Sequence, residues 1–553
     1  MVTSSRIAEA DAHADLSLHV PAAQPAPRST WTGPYLTLIL LLAAGLRIAL
    51  LMPGFARLDG DEAVMGIVAQ HIARGQPLLY FGGDGYMGAG EQYLQAPIVA
   101  FAPADPFLLR LPLVGLAVLT CFLIYRAAIR CLQDAGMALF AAACSALGPW
   151  FSLVYGSKPR GYSGTLAVAT LGFLVAVTPA QDAAGARRRA MVFGFCCGLG
   201  FWLNWASALV LLPAGLWVLG TIRDRPGLIL RAGTAFLLGS TAFWIELLRG
   251  RLPVATADPQ PPTTLAERAD GLMDPILEMF LGLAHAPPAG TGEPVAGWLP
   301  PQLVLATLMA ALGAAAWSRR RRLLSILLLR PQQLHPFDLV LLVFLSAPLL
   351  YIASSYSWQT VEPRYLFPLY GLLPVALAGL TARLSPKGGY RRGLLAVAML
   401  CVVAGLTATS FVRALSLDGG PGSGAPPVPS EQLGGVADAL VAEGYRAAWA
   451  DYWVAYPLQY YAVDRLAVSS FYSRHFPATE QLVRDDSGPA YVARHGSRAE
   501  ELRVAVERAG SSYRERRVGD FILLLDVTPA LQPTIAALSP LDTGLTPVRQ
   551  PAR

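Results

Sequence analysis

Two adjacent carboxylates, Asp61 and Glu62, follow directly on the first apolar segment of the chain. Acids at a membrane exit are costly unless they are paired or used, and only 14% of the 553 residues are charged. The run EAVMGIVAQHIARG has helical spacing, which places Asp61 at the N-cap or in the first turn of a helix. The pair is therefore either an ordinary helix cap or a general base that accepts the proton of a substrate hydroxyl.

The same loop continues into a glycine-rich stretch, FGGDGYMGAGEQYLQAP, which holds Asp84, Tyr86, Glu91 and Tyr93. Carboxylates, amides and aromatic rings commonly hold a polar, flat-faced ligand such as a sugar, so these four residues are candidates for acceptor or sugar binding. The stretch lacks the Lys-Ser/Thr ending of a phosphate-binding P-loop. A flexible re-entrant loop is the alternative.

Two basic motifs, YGSKPRGY and EPRYLFPLYGLLP, contain Lys158, Arg160 and Arg364. The helix pattern places these cations on the same face as the acidic loop, against the usual preference for basic residues on the cytoplasmic side. An anionic phosphate would explain them, since the guanidinium fork of arginine matches phosphate oxygens. Tyr162 and Tyr365 could add hydroxyl contacts. Lipid headgroup contacts, or a salt bridge between Arg364 and Glu362, are the alternatives.

A metal site has less support in the sequence. A divalent cation could bind Asp61, Glu62 and Asp84, because carboxylate oxygens are its preferred ligands. The seven histidines and six cysteines do not cluster, so no transition-metal site is expected, and His71 is interpreted as structural. All six cysteines lie in or beside apolar segments, which predicts no structural disulfide.

Membrane helices must position these residues. Hydrophobic residues make up 54% of the chain and the mean hydropathy is +0.45, which is typical of a polytopic membrane protein. Apolar runs of spanning length predict about eleven transmembrane helices, near residues 34–53, 107–127, 136–155, 162–180, 190–204, 206–221, 232–248, 298–317, 338–356, 364–383 and 393–413. Asn204, between Trp202 and Trp205, marks a turn between the fifth and the sixth.

The placement of arginines predicts the orientation of these helices. With the N-terminus in the cytoplasm, every proposed inner connection is basic, as at residues 187–189, 319–322 and 391–392. Merging the fifth and sixth helices would put the cluster at Arg223 outside, so two short helices are predicted. The net charge of +6 is therefore a topology signal, and no nucleic-acid partner is expected.

The chain divides into four parts. Residues 1–33 form a polar, Ala/Pro-rich cytoplasmic tail that is expected to be disordered, and residues 34–413 form the membrane domain with its first extracytoplasmic loop at 54–106. A Gly/Pro/Ser-rich linker at 414–430 leads to a small extracytoplasmic α/β domain at 431–553. The fold class is thus a polytopic α-helical membrane protein with a C-terminal α/β domain.

Local patterns outside the membrane predict further elements. YRAAWADYW, DRLAVSSFY, GPAYVARHG and DFILLLDV have the pattern of strands, whereas residues 431–443 and AEELRVAVERAG have that of helices. A helix near 264–284 could lie along the membrane surface, or this connection could be a flexible link. The cluster Trp449, Asp451, Tyr452 and Trp453 is consistent with strand packing or with acceptor contact.

Four motifs taken together resemble a known family. The Asp-Glu pair after the first helix, FLLRLP in the second, SKPRGY between the third and fourth, and the late RYLFPLYGLLP are similar to motifs of GT-C fold glycosyltransferases that use lipid-linked sugars. The nearest group is that of protein O-mannosyltransferases and the bacterial aminoarabinose–lipid A transferase. The resemblance covers about residues 34–413, and the glycine-rich stretch departs from it.

The resemblance implies a hexosyl- or pentosyltransferase of the bacterial inner membrane, with a polyprenyl-phosphate sugar as donor and a protein, lipid or glycan as acceptor. It implies Asp61 as the base, Glu62 as its partner in positioning substrates, and Lys158, Arg160 and Arg364 as ligands of the lipid phosphate. Attack from the face opposite the leaving group would invert the anomeric carbon.

Two other functions are compatible with many helices, cations and acids. A transporter or flippase for lipid-linked glycans would need the same residue types, but such proteins often contain inverted repeats and midplane sites. The sequence contains no detectable repeat, and its acids lie at one surface. A non-catalytic scaffold whose C-terminal domain recruits partners is the other alternative.

Overall fold

A bundle of apolar helices precedes a five-stranded α/β domain in the computed structural model of the chain. The structure describes residues 32–51, 57–81, 84–250, 263–287, 291–330, 335–354, 357, 360–385, 389–416, 429–472, 475–533 and 545–547. Most of the predicted tail at 1–33 and of the predicted linker at 414–430 lies outside these residues.

Six helices are long and apolar enough to cross a membrane, and two bent helix pairs would each supply one more span. The single helices are α1 (Thr32–Leu51), α4 (Pro106–Leu132), α9 (Ala208–Ile222, preceded by a 3-10 turn from Trp205), α14 (Pro301–Ser318), α16 (Pro336–Ala353) and α18 (Gly389–Ser416). The bent pairs are α10 (Pro226–Gly239) with α11 (Thr241–Leu248), and a 3-10 helix (Arg364–Gly371) with α17 (Leu373–Leu384). These eight segments match eight of the eleven predicted spans, and the chain is a multi-pass membrane protein.

The three other predicted spans are helical but differ in length or composition. The predicted helix at 136–155 is broken into α5 (Ala135–Leu147) and α6 (Trp150–Tyr155), because Gly148 adopts a positive φ and Pro149 cannot continue the hydrogen-bond ladder. Helix α7 (Tyr162–Val177) has only 16 residues. Helix α8 (Ala183–Leu203) carries three arginines in its first turns.

The turn predicted at Asn204 is confirmed. Helix α8 ends at Leu203, Asn204 has extended backbone, and its side-chain oxygen accepts a hydrogen bond from the N–H of Ala206 at 2.9 Å. Asn204 also pairs with Met87 in an isolated β-bridge. The turn therefore supports the glycine-rich part of the first loop.

The first loop folds into α2 (Gly60–Ala73), a short antiparallel pair β1 (Tyr80–Phe81) and β2 (Asp84–Gly88), and α3 (Gly90–Val99). The predicted helix after the Asp-Glu pair is thus α2. The predicted helix near 264–284 is interrupted: α12 (Leu265–Gly271) and α13 (Leu277–Leu281) flank a turn at Asp274, whose backbone is not helical. A short basic helix, α15 (Arg320–Leu327), follows α14.

The C-terminal domain has a mixed sheet in the order β4-β3-β5-β7-β6. Strand β3 (Ala447–Ala450) runs parallel to β4 (Ala467–Ser470) and β5 (Ala490–Arg494), whereas β7 (Phe521–Thr528) is antiparallel to β5 and β6 (Ser512–Val518). The predicted helices form α19 (Leu433–Ala442) and α22 (Ser497–Arg508). A small separate pair joins β8 (Leu531–Pro533) and β9 (Leu545–Pro547).

Two features of this domain differ from the sequence prediction. Only the first half of YRAAWADYW is a strand, because Asp451 accepts a hydrogen bond from the N–H of Trp453 and caps α20 (Tyr452–Ala462). Strand β6 was not predicted, since most of its side chains are polar and exposed at the edge of the sheet. Helix α21 (Pro477–Asp485) was also not predicted.

The domain docks on the first loop through α20, which packs along α2. A Cβ on Gly60 would lie 2.7 Å from Cε1 of Tyr452, and one on Gly66 would lie 2.5 Å from Cε2 of Tyr460. Two glycines on one face of α2 therefore allow two tyrosine rings to approach its backbone. The ion pair of Arg74 with Asp464, at 2.7 Å, lies at the far end of the same contact.

Candidate active site

The acidic loop begins α2 with a capping box. Oδ1 of Asp59, the N-cap residue, accepts a hydrogen bond from the backbone N–H of Glu62 at 3.0 Å. Oε2 of Glu62 accepts one from the backbone N–H of Asp59 at 3.2 Å. Asp61 lies in the first turn, as the sequence predicted, but Asp59 and Glu62 form the cap.

Glu62 is enclosed by an arginine of the second span. Its side chain is fully buried, and its two oxygens accept hydrogen bonds from Nε and Nη2 of Arg110 at 3.0 and 2.6 Å. Arg110 is the arginine of FLLRLP, and it also donates to the carbonyl of Arg57 at 3.1 Å. This bidentate pair joins the start of α2 to α4. Glu62 therefore positions the loop, and the geometry gives no support to a direct substrate contact.

The turn that carries SKPRG places two cations on Asp59. Nζ of Lys158 lies 2.8 Å and Nη2 of Arg160 lies 2.6 Å from the same oxygen, Oδ2 of Asp59. Burial alone would raise the pKa of Asp59, but the charges of Arg160 and Lys158 outweigh it and hold this pKa below its ordinary range. Asp59 thus stays ionised and holds both cations beside Asp61.

Asp61 is the most accessible carboxylate of this group. Its side chain is 28% exposed, compared with 5% for Asp59 and 0% for Glu62. Oδ1 accepts a hydrogen bond from the hydroxyl of Tyr452 at 2.7 Å, and Oδ2 lies 3.4 Å from Nη1 of Arg160. A substrate can therefore reach Asp61 and neither of its two acidic neighbours.

The second basic motif joins the cluster through Tyr155. Nη1 of Arg160 donates to the hydroxyl oxygen of Tyr155 at 2.9 Å, and that hydroxyl donates to Oε1 of Glu362 at 3.0 Å. Glu362 in turn forms an ion pair with Arg364. The salt bridge considered for Arg364 is thus present, and it links Arg364 to Arg160 through two side chains.

Three buried donors at this site have no hydrogen-bond partner among the described residues: Nε of Arg160, Nε of Arg364 and the hydroxyl of Tyr162. The ring of Tyr162 packs 5.4 Å from that of Tyr155, which lies between the two arginines in the chain of contacts. Buried polar groups in proteins are almost always paired, so unpaired ones need an explanation. The site therefore has unused capacity to bind an anion. Tyr365 is half-buried against the helical core.

The candidate sugar-binding residues of the glycine-rich stretch are divided. Glu91 is buried, and its oxygens accept hydrogen bonds from the N–H groups of Gly161 at 2.9 Å and Gly164 at 2.7 Å. It thus holds the turn that carries Lys158 and Arg160, and it does not face an open surface. Tyr93 is half-buried against the core. The side chains of Asp84 and Tyr86 lie outside the described part of the structure.

The residues suggested for a divalent cation do not fit one. No group of three His, Cys, Asp or Glu side chains comes together around a common point in the described ranges. Glu62 directs both oxygens to Arg110, while Asp61 shares its oxygens between Tyr452 and Arg160. Positively charged side chains already occupy the positions that a cation would need. All six cysteines are free thiols.

A cavity of about 480 Å³ extends through the helical bundle beside the site. Most of its lining is apolar, with residues of α14, α17 and α18 such as Leu308, Leu377 and Val403. Gly156 and Ser163, which follow Tyr155 and Tyr162 in the chain, also line it. The apolar space therefore reaches the turn that carries the cations.

Sequence reasoning missed several residues of this cluster. Asp59 was part of the loop but was not predicted as a site residue, although the spacing D-x-x-E of a capping box could have identified it. Arg110 was recognised only as part of a motif. Tyr155 has no local signal, because its role depends on two partners that are distant in sequence.

Solved structures provide the comparison with known proteins. The fold is similar to that of ArnT from Cupriavidus metallidurans, crystallised with bound undecaprenyl phosphate, with a TM-score of 0.58 and 11% identity over 90% of this chain and 98% of that chain. The apo oligosaccharyltransferase of Archaeoglobus fulgidus matches with a TM-score of 0.49 and 12% identity over 87% of this chain and 72% of that chain. No protein-family model matches the sequence. No curated protein sequence matches it either.

The chain has the GT-C fold, as the resemblance of its motifs predicted. The similarity to ArnT covers nearly the whole of both chains, so it includes the helical bundle and the C-terminal domain. At 11% identity this similarity establishes the fold alone, and the activity must be argued from the side chains of this protein.

Proposed function

We propose that this protein is a glycosyltransferase that moves a sugar from a polyprenyl-phosphate donor to an acceptor on the extracytoplasmic face of the bacterial inner membrane. The observation that carries this proposal is the position of one accessible carboxylate, Asp61, next to buried cations that retain unused donors. A base and an anion site side by side are what such a transfer requires.

The donor phosphate is assigned to the cation cluster. Nε of Arg160, Nε of Arg364 and the hydroxyl of Tyr162 could donate to its oxygens without breaking the ion pairs that these arginines already form. Lys158 adds positive charge at 2.8 Å from Asp59. ArnT, which shares the fold, was crystallised with undecaprenyl phosphate, and this supports a ligand of the same class.

The cavity in the bundle suits the polyprenyl tail. A chain of isoprene units needs an apolar path that begins at its phosphate, and this cavity reaches the turn between Tyr155 and Tyr162. The volume of about 480 Å³ would hold part of a long tail, with the remainder in the lipid. An anion site at the head of an apolar cavity favours an amphiphile over a soluble sugar phosphate.

The proposed reaction is a single displacement. Asp61 accepts the proton of the acceptor hydroxyl while the hydroxyl oxygen forms a bond to the anomeric carbon of the sugar. The bond between that carbon and the phosphate oxygen breaks, and the polyprenyl phosphate leaves as an anion stabilised by Arg160, Arg364 and Lys158. Attack from the opposite face inverts the anomeric configuration, so a product with retained configuration would contradict this mechanism.

Mass spectrometry of cell-envelope glycolipids and glycoproteins tests the proposal. Three strains are compared: one that lacks the gene, one that carries it, and one that carries the Asp61→Asn variant. We expect one sugar-modified product only with the wild-type gene, and its mass increment distinguishes a hexose from a pentose. Identical products in all three strains would contradict the proposal. A flippase would instead redistribute a lipid-linked sugar without forming a new covalent product.

A further inference from the structure

The C-terminal domain contacts the proposed base directly. Tyr452, the first residue of α20, donates its hydroxyl hydrogen to Oδ1 of Asp61 at 2.7 Å. Burial, together with the negative charge of Asp61, raises the pKa of Tyr452 well above its ordinary value. The hydroxyl therefore remains protonated, and acts as a donor, across the physiological pH range.

Local sequence places Tyr452 with little freedom. Strand β3 ends at Ala450, Asp451 caps α20, and Tyr452 then occupies the first helical position. Its ring rests against Gly60, directly before Asp61 in the chain, where any larger residue would push the ring away. The strand, the cap and the glycine thus direct one hydroxyl at one carboxylate oxygen.

The two oxygens of Asp61 are differently occupied. Oδ1 holds the short hydrogen bond from Tyr452, while Oδ2 has only the more distant Arg160 at 3.4 Å. A carboxylate held at one oxygen keeps a defined orientation and leaves the other for proton transfer. An unrestrained aspartate, 28% exposed, would sample several rotamers.

We propose that Tyr452 is a positioning residue for sugar transfer: its hydroxyl orients Asp61, so the C-terminal domain completes the active site. This inference rests on the proposed function. It assigns to the domain a role in the chemical step, in addition to any contact with an acceptor.

The structure contains a matched control eight residues further along α20. Tyr460 packs on Gly66 as Tyr452 packs on Gly60, and its ring is also buried. The hydroxyl of Tyr460, however, has no hydrogen-bond partner among the described residues. Tyr452→Phe and Tyr460→Phe therefore remove the same atom from equivalent packing positions, but only the first removes a contact with Asp61.

The experiment expresses each variant in the strain that lacks the gene and follows the rate of product formation per molecule of folded membrane protein. We expect Tyr452→Phe to lower this rate about 10- to 100-fold, the usual effect of losing a hydrogen bond to a charged group, and Tyr460→Phe to change it less than about twofold. In an Asp61→Asn background, Tyr452→Phe should have no further effect on the residual rate.

Two measurements separate positioning from general damage. The affinity of each purified full-length variant for undecaprenyl phosphate should stay at the wild-type value, because Tyr452 does not contact the cation cluster in the structure. The carboxylate infrared band of Asp61 is isolated by subtracting the spectrum recorded with the Asp61→Asn substitution from the spectrum recorded without it. This band should shift in Tyr452→Phe and not in Tyr460→Phe.

The outcomes distinguish the two proposals. If the wild-type gene yields product and Tyr452→Phe is as fast as Tyr460→Phe, the positioning role is wrong and the glycosyltransferase proposal stands. An unshifted Asp61 band in Tyr452→Phe would also overturn the positioning role. Absence of any product with the wild-type gene would overturn the proposed function, and this inference with it.

Discussion

Two ion-pair clusters lie at opposite ends of the helical bundle, and they use similar residues differently. The site cluster consists of Asp59, Asp61, Glu62, Glu362, Arg110, Lys158, Arg160 and Arg364. The far-end cluster consists of Asp134, Asp338, Arg319, Arg322 and Arg392. Helix α4 connects the two ends, since Arg110 lies near its start and Asp134 shortly after its last residue.

The difference lies in what each cluster leaves unused. At the far end, Asp338 is fully buried and pairs with Arg319 at 2.5 Å, while Arg322 is 41% exposed to the surroundings. In the site cluster, Arg160 and Arg364 are more enclosed, yet each keeps one unpaired N–H group among the described residues. A buried ion pair by itself is therefore weak evidence for a functional site. Unused buried donors beside an accessible carboxylate are stronger evidence.

Replacing the accessible acid of the site cluster should have the largest effect. We expect Asp61→Asn to reduce product formation by at least about 100-fold, because the amide cannot accept the acceptor proton. Affinity for undecaprenyl phosphate should be retained, since the cations are unchanged. Product formation is measured by mass spectrometry in the strain that lacks the gene. A rate near that of the wild type would show that Asp61 is not the base.

Glu91 and Asp338 are both buried carboxylates, but only Asp338 has an arginine partner among the described residues. Burial raises the pKa of Glu91 to about 7, in spite of hydrogen bonds from the N–H groups of Gly164 and Gly161. Between the ordinary pKa of about 4.5 and pH 7, the folded protein binds a proton that the unfolded chain releases, so stability falls as the pH rises through this window.

Glu91→Gln should remove that pH dependence, because glutamine does not titrate. The difference in stability between wild type and variant should change by about 3 kcal/mol between pH 4.5 and pH 7, always to the disadvantage of the wild type as the pH rises. Thermal unfolding followed by tryptophan fluorescence at a series of pH values measures this. Parallel stability curves for the two proteins would contradict the raised pKa.

Asp338→Asn should affect stability but not chemistry. The change removes the charged partner of Arg319, and we expect a loss of about 2 kcal/mol in the free energy of unfolding. The rate of product formation, corrected for the amount of folded protein, should stay within about twofold of the wild type. A loss of rate as large as that of Asp61→Asn would mean that the far-end cluster also takes part in function.

Lys158→Met should weaken binding of the lipid phosphate. Arg160 still pairs with Asp59 in this variant, so the loop should keep its fold. We expect the dissociation constant for undecaprenyl phosphate to rise about tenfold, in accord with the loss of one charge-assisted hydrogen bond. Arg322→Met, at the far end, is the matched control and should leave this constant unchanged. Equal affinities for both variants would remove Lys158 from the phosphate site.

Much of the fold was predictable because it depends on local patterns. Long apolar runs specify membrane helices, and arginine clusters specify their sidedness, so eight spans and the turn at Asn204 follow from the sequence. The same sidedness brought Asp61, Lys158, Arg160 and Arg364 together on one face, and the structure joins them in one cluster. Breaks inside apolar runs, as at Gly148, were harder to predict because composition barely changes there.

Tertiary structure alone decided how the acids divide their roles. Asp59, Asp61 and Glu62 are nearly identical in local sequence, but Arg110 closes off Glu62, Lys158 and Arg160 occupy Asp59, and only Asp61 stays accessible. The partners come from other helices, so no local pattern could assign them.

The same reason applies to Glu91 and to Tyr452. Each is defined by a contact across a long stretch of chain, with Gly164 in one case and Asp61 in the other. The sequence by itself determined which residues could do chemistry and on which side of the membrane domain they lie. The packing of distant segments determined which of them remain free to do it, because accessibility and charge pairing are properties of the folded protein.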